Sequence, residues 1–134
     1  MSHLYVTNPF DASSVGKVKL SSESEVDAAL AIAEKTHRNN KKGLPKYERA
    51  AILKKAAEIM KGRATELALL IASEGGKPLI DAKVEVERAI DGVETCASEI
   101  ANNSGSEIPM DLTPAGVGKL AFTIKEPIGP VVAI

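Results

Sequence analysis

The chain has 134 residues, with 17 lysines and arginines against 18 aspartates and glutamates, and 44% apolar residues. That length suits one domain, and the composition is that of a soluble globular protein. A net charge near zero, with both signs interspersed, argues against nucleic acid or an anionic membrane as partner.

One cysteine, Cys96, excludes an intrachain disulfide and a cysteine-built metal cluster, and it fits a reducing cytoplasm. Met1 to Phe10 lacks the basic start and apolar run of a signal peptide, and no apolar stretch is long enough to span a bilayer. With two Phe, two Tyr and no Trp, a core must rest on Ala, Leu, Ile and Val.

In chain order, Leu4 to Leu20 reads as a β-hairpin. Asn8-Pro9 and Asp11-Ala12-Ser13-Ser14 carry the turn chemistry, and Val15, Val18 and Leu20 supply the apolar positions of the return strand. Ser22-Glu23-Ser24-Glu25 is a capping box that opens a first helix with Val26, Ala29, Leu30 and Ala33 on one stripe. The polar run His37 to Gly43 ends it.

A second, long helix starts near Pro45 and carries Ala51, Ile52, Ala56, Ile59, Met60, Leu67, Leu70 and Ile71, with Gly62 as a place to bend. Gly75-Gly76 stops it. Pro78 opens a third helix whose Val86, Ala89, Ile90, Val93, Ala97 and Ile100 repeat at three and four. Asn102-Asn103-Ser104-Gly105 closes it.

The period then changes to two. Leu120, Phe122 and Ile124 alternate with Ala121, Thr123 and Lys125, which predicts a strand over 119–125 with no evident partner in the chain. Pro127, Gly129 and Pro130 interrupt it. The unbroken apolar run Val131-Val132-Ala133-Ile134 reads as a strand buried on both faces, as in a parallel sheet. Such a strand needs neighbours on both sides. The expectation is that the sequence continues beyond it, or that another chain completes the sheet.

These stretches together resemble the aldehyde dehydrogenase superfamily. The match is carried by Asn8-Pro9, by Tyr47-Glu48-Arg49-Ala50 with Ile52-Leu53, and by Glu74-Gly75-Gly76-Lys77-Pro78-Leu79. It continues through Ile108-Pro109 and Lys125-Glu126-Pro127-Ile128-Gly129-Pro130-Val131. Order and spacing over almost the whole chain give it weight; no single piece is specific. Two departures stand out: Gly75 where relatives often have Thr, and Lys41 where a Trp is common. The double-Gly form, followed by Asp81 to Val86, is similar to members acting on phosphonoacetaldehyde, lactaldehyde or glyceraldehyde phosphate.

The resemblance implies an α/β parent with a Rossmann-like cofactor domain. This segment of it is mainly α: an N-terminal β-hairpin, three helices and C-terminal strands. It divides the chain into residues 1–113, the hairpin and three-helix part of the cofactor-binding domain; 114–129, an oligomerisation strand; and 130–134, the first strand of the Rossmann-like core. It further implies a homo-oligomer, with Leu120, Phe122 and Ile124 at the assembly strand, and a small aldehyde as substrate. NAD or NADP would be bound by the parent, none by this segment.

The family oxidises an aldehyde to a carboxylic acid through a cysteine thiohemiacetal. Its oxyanion Asn, glycine-rich cofactor turn, Glu and nucleophilic Cys all belong farther along the chain. The segment is therefore expected to hold no catalytic residue and to be inactive alone. Two weaker implications are a substrate-entrance position for Glu99 and Asn103 and a cofactor-bordering backbone at Ile134.

Cys96, in Val93-Glu94-Thr95-Cys96-Ala97, lacks the family's nucleophile motif, and neither His3 nor His37 lies in a recognisable base arrangement; a helical cysteine reads as a small packer. Glu85, Glu87 and Arg88, like Glu94 and Glu99, read as a charged helix face. Gly75-Gly76-Lys77 reads as a helix stop, since a P-loop needs a longer glycine-rich loop after a strand. Gly116 and Gly118 open no helix and make no dinucleotide fingerprint. No metal site is expected. The competing reading is a self-standing helical interaction module that associates by strand pairing or segment swapping.

Overall fold

The structure, a computed structural model, describes residues 2–39 and 43–133. Strands β1 (His3–Thr7) and β2 (Ser14–Lys19) form the expected antiparallel hairpin, Leu4 opposite Val18, with an irregularity between Val6 and Thr7. The turn is built by side chains that accept from the backbone two residues on. The Phe10 N–H donates to Asn8 Oδ1 at 2.9 Å, and the Ser13 N–H to Asp11 Oδ1 at 2.9 Å.

Helix α1 (Glu23–Asn39) opens on the expected capping box. The Ser22 N–H donates to Glu25 Oε2 at 2.9 Å, and the Glu25 N–H donates to Ser22 Oγ at 3.3 Å. Lys19, at the end of β2, also pairs with Glu25. Yet α1 buries none of its residues, and Val26 and Leu30 stay about half exposed.

The expected second helix is two helices, so the described residues hold four helices rather than three. α2 (Lys46–Gly62) ends and α3 (Ala64–Gly75) begins around Arg63, whose φ of −111° leaves the helical range. Gly62 lowers the preference for helix just before the break. Arg63 then grips the first turn of α3 with two bonds to Glu66, 2.9 Å from Nε and 2.6 Å from the guanidinium end. That guanidinium holds the Glu66 carboxyl below its ordinary value. A carboxylate also suits the positive end of a helix.

α3 stops where expected. Gly76 takes the left-handed conformation, φ 66°, and its N–H returns to Ala72 O at 2.9 Å. The Pro9 ring of the hairpin turn packs on it, 3.2 Å from where a Cβ would stand. Two stretches that carry the sequence resemblance thus touch.

α4 (Leu79–Asn102) follows Pro78 and is the spine of the molecule. The core lies along it: Ala82, Val86 and Ile90 of α4 meet Ala57 of α2 and Ala68 of α3, flanked by Met60, Ala64, Leu67, Ile71, Ala72 and Val93. The seam is therefore made of small side chains. The stripe read from the sequence for the long helix is only partly the buried one: Ile52, Ile59 and Leu70 remain exposed. Cys96 is exposed as well, which corrects its reading as a packer.

After α4 come β3 (Glu107–Ile108), one turn of 3-10 helix (Pro114–Gly116) and β4 (Ala121–Phe122). The strand predicted over 119–125 is reduced to β4, and it has a partner in the chain after all. Glu107 pairs with Phe122 and Ile108 with Ala121. The Thr123 N–H adds a bond to Ser106 O, and Thr123 Oγ1 accepts from the Ser106 N–H, each at 2.9 Å. Gly105 is required there, because the Thr123 carbonyl oxygen lies 1.6 Å from an ideal Cβ position.

Residues 131–133 form no strand, and Val131 and Val132 are 74% and 70% exposed. An isolated extended segment has nothing to complete its ladder. The buried strand expected there is not formed among the described residues.

Two outcomes follow from these local devices. Gly76→Ala puts an L side chain at positive φ against Pro9 and should cost about 1–3 kcal/mol in urea unfolding. Glu25 is held more acidic than usual by Lys19 first and by the Ser22 N–H next. A carboxyl with a lowered folded-state pKa stabilises the fold above its unfolded value and loses that contribution as pH falls through the lowered one. The first turn of α1 should therefore loosen below about pH 4.5, near the unfolded carboxyl value, and Glu25→Gln should flatten this dependence in amide NMR titrations.

Candidate functional site

The most enclosed recess at the residues singled out by sequence is a cleft of about 340 Å³ where the start of α2 meets the end of α4. It is lined by Gly43, Leu44, Lys46 and Arg49 at and before the start of α2, by Asn103 at the end of α4, and by Lys125, Glu126 and Pro127 after β4. Three elements meet here for local reasons. Pro45 starts α2 without a side-chain cap. Asn103 caps α4, and its carbonyl accepts from Lys46 Nζ at 2.7 Å. A cation at a helix C-terminus opposes the negative end of the helix dipole. The segment after β4 then returns alongside.

Electrostatically the wall carries Lys46, Arg49 and Lys125 against Glu126. Tyr47, next to this wall, donates its hydroxyl to Glu48 Oε1 at 2.8 Å, and that bond pushes the phenol above its ordinary value. Lys46, Arg49, Lys125 and Glu126 were not singled out as site residues by sequence. All but Lys46 lie within stretches that carry the family resemblance, which is the signal that would have found them.

Of the residues that were singled out, Asn103 lines this cleft. Glu99 sits exposed one turn earlier, where Asn102 Nδ2 donates to its Oε1 at 3.1 Å. Leu120, Phe122 and Ile124 are 76%, 65% and 67% exposed on and around β4, away from the cleft walls. Ile134 lies outside the described residues.

The carboxylates of α4 behave as structural partners. Glu85 pairs with Lys77, and Glu94 takes Lys61 of α2 at 2.6 Å, which raises the Lys61 ammonium above its ordinary value. Cys96 stands exposed on α4, while His3 and His37 belong to β1 and α1. Among the described residues no group of His, Cys, Asp and Glu is arranged to hold a metal ion.

Nor do these residues fit a dinucleotide. The Gly116-Val117-Gly118 stretch begins at the last residue of the 3-10 turn and leads to β4, so it opens no helix. Gly116 itself is buried, with the Met110 carbonyl where a Cβ would stand. No catalytic step through a nicotinamide is therefore derived from this chain.

Comparison with known proteins gives this architecture its family. A sequence model of the aldehyde dehydrogenase family matches residues 2–134. The chain is 31% identical over 129 residues to a 3-sulfolactaldehyde dehydrogenase from Priestia aryabhattai, covering 96% of this chain and 26% of that protein. Crystallised aldehyde dehydrogenase 21 from Physcomitrella patens, in complex with the reaction product succinate, superposes with a TM-score of 0.81. It is 32% identical and covers 87% of this chain and 24% of its own.

A glyceraldehyde-3-phosphate dehydrogenase from Methanocaldococcus jannaschii complexed with NADP superposes with a TM-score of 0.73 at 33% identity. The match covers 79% of this chain and 23% of that one. The chain thus spans about a quarter of the length of the relatives it matches. These matches do not favour the self-standing interaction module.

Lys46→Met removes the bond to Asn103 and should fray the end of α4: amide exchange at residues 101–103 should quicken, with α2 and α3 unaffected. Equal exchange in both proteins would mean that Lys46 does not hold this corner. With the family model matching residues 2–134, the chain belongs to the aldehyde dehydrogenase family.

Proposed function

We propose that these residues serve as the N-terminal portion of an NAD(P)-dependent aldehyde dehydrogenase that oxidises an aldehyde to a carboxylic acid through a cysteine thiohemiacetal. The observation that carries this is the family match across residues 2–134 at about a quarter of the relatives' length. In this reading residues 1–113 pack on the cofactor-binding domain, 114–129 give the assembly strand, and 130–134 enter the Rossmann-like core. Glu99 and Asn103 border the substrate entrance, and the backbone at Ile134 borders the cofactor. The compartment is a reducing cytoplasm, which suits a lone exposed cysteine.

The substrate is a small aldehyde with a second, negatively charged group. Support comes from the relatives, named for 3-sulfolactaldehyde and glyceraldehyde-3-phosphate or crystallised with succinate. All three compounds carry such a group. The surface supports the packing role. Leu4, Val18, Val26, Leu30, Ile52, Ile59 and Leu70 are all about half exposed, apolar side chains that such packing would cover.

The isolated chain supplies fold and assembly, and turnover is expected only in a protein that also carries the nucleophile and the cofactor turn. Purified 134-residue protein mixed with NAD or NADP and succinic semialdehyde should form no reduced cofactor; aldehyde-dependent reduction would defeat the division of labour. Assembly is tested by sedimentation. The chain should self-associate, and Phe122→Lys, which puts a charge on the exposed face of β4, should dissociate it. A wild-type chain that stays monomeric across concentrations would remove the assembly role.

A further inference from the structure

The geometry points to Arg49 and Glu126 as positioning residues: an ion pair closing the cleft between α2 and the 125–127 segment, which fixes the path of the chain into residues 131–133. Glu126 is the one acid among the residues lining this cleft, which also include the cations Lys46, Arg49 and Lys125. Neither Arg49 nor Glu126 is in an ion pair among the described residues. Lys46 is already engaged by the Asn103 carbonyl, and Lys125 is Glu126's own chain neighbour. Arg49, on α2, is left as the lining cation that comes from another element. Its planar fork is also the group best matched to a carboxylate.

The segment is built to transmit such a contact. Pro127 and Pro130 fix their own φ angles and stiffen the residues before them. Gly129, at φ 125°, is the hinge between them. Ile128, the large apolar side chain of this stretch, is 92% exposed and does not anchor it. A pair at Glu126 would therefore limit the directions open to Val131 and Val132. That those residues then enter the first strand of a cofactor domain rests on the function proposed above; the pair itself does not.

The test uses the 134-residue chain. Backbone ¹⁵N relaxation of residues 126–133 is measured in wild type, Arg49→Glu, Glu126→Arg and the charge-swapped double variant. Each single change should loosen these residues, with about a two- to fivefold loss of the closed form, the scale an exposed pair supports. The swap should restore order, and high salt should loosen the wild type. A structural role for either side chain alone would not be rescued by exchanging the charges.

Equal relaxation in all four proteins, or no recovery in the swap, overturns the pair. If Arg49→Glu unfolds α2, Glu126→Gln gives the same readout without touching the helix, and unchanged order there is equally fatal. Added succinate that tightens wild type and Glu126→Gln alike would also overturn it, and would make the cleft a site for an external anion. Because no outcome depends on turnover, the pair and the enzymatic reading fail separately.

Discussion

The close seam between α4 and the α2–α3 pair is the contact on which everything else rests. It is made by Ala57, Ala68 and Ala82 around Val86 and Ile90. Alanine lets helix backbones approach, so the interface gains its stability from close packing more than from large buried side chains. No large side chain is fully buried anywhere among the described residues. A seam of this kind fixes direction well and contributes modest burial. It lays α4 as a spine of 24 residues and brings its end beside the start of α2, where Lys46 meets Asn103. The cleft exists because these two helix ends are held together.

The same seam explains what stays uncovered. α2 and α3 each turn one stripe to α4 and leave a second apolar stripe facing outward, with Ile52 and Ile59 on the first helix and Leu69 and Leu70 on the second. α1 is amphipathic yet meets no core at all. A helix takes most of its stability from the packing of its apolar face, so α1 here rests on its capping box and on Glu25's pairing with Lys19. In the function proposed above, these outward stripes are the faces that pack on the cofactor-binding domain.

Where the chain's own chemistry is local, it was legible in the sequence. Ser22 and Glu25 specify their cap, Asn8 and Asp11 their turn, and Gly76 its helix stop, because each depends on residues within a few positions. Gly62 marked a place to bend one residue before the break at Arg63, but not that the chain would leave the helix there. The apolar repeat runs through the break, and the fork from Arg63 to Glu66 that opens α3 leaves that repeat unchanged. The choice of buried stripe was missed for a similar reason: both stripes of α2 are apolar, and only the position of α4 selects between them. β4's partner was hidden because Glu107 and Ile108 are too few to show alternation. The pairing rests on a backbone approach at Gly105 that composition does not announce.

The candidate site divides along the same line. Asn103 was reached through resemblance, and Arg49 and Glu126 were quoted only as parts of motifs. Nothing in a linear reading brings position 49 to position 126. What brings them to one cleft is the antiparallel return of α4 past α2, followed by the short β3–β4 pairing that sends the chain back. The stretches that mark the family are therefore more than labels. Pro9 packs on Gly76, and Arg49 lines one cleft with Lys125, Glu126 and Pro127. Stretches far apart in the chain are thus brought together by the fold: the hairpin turn beside the end of α3, and the segment after β4 beside the start of α2.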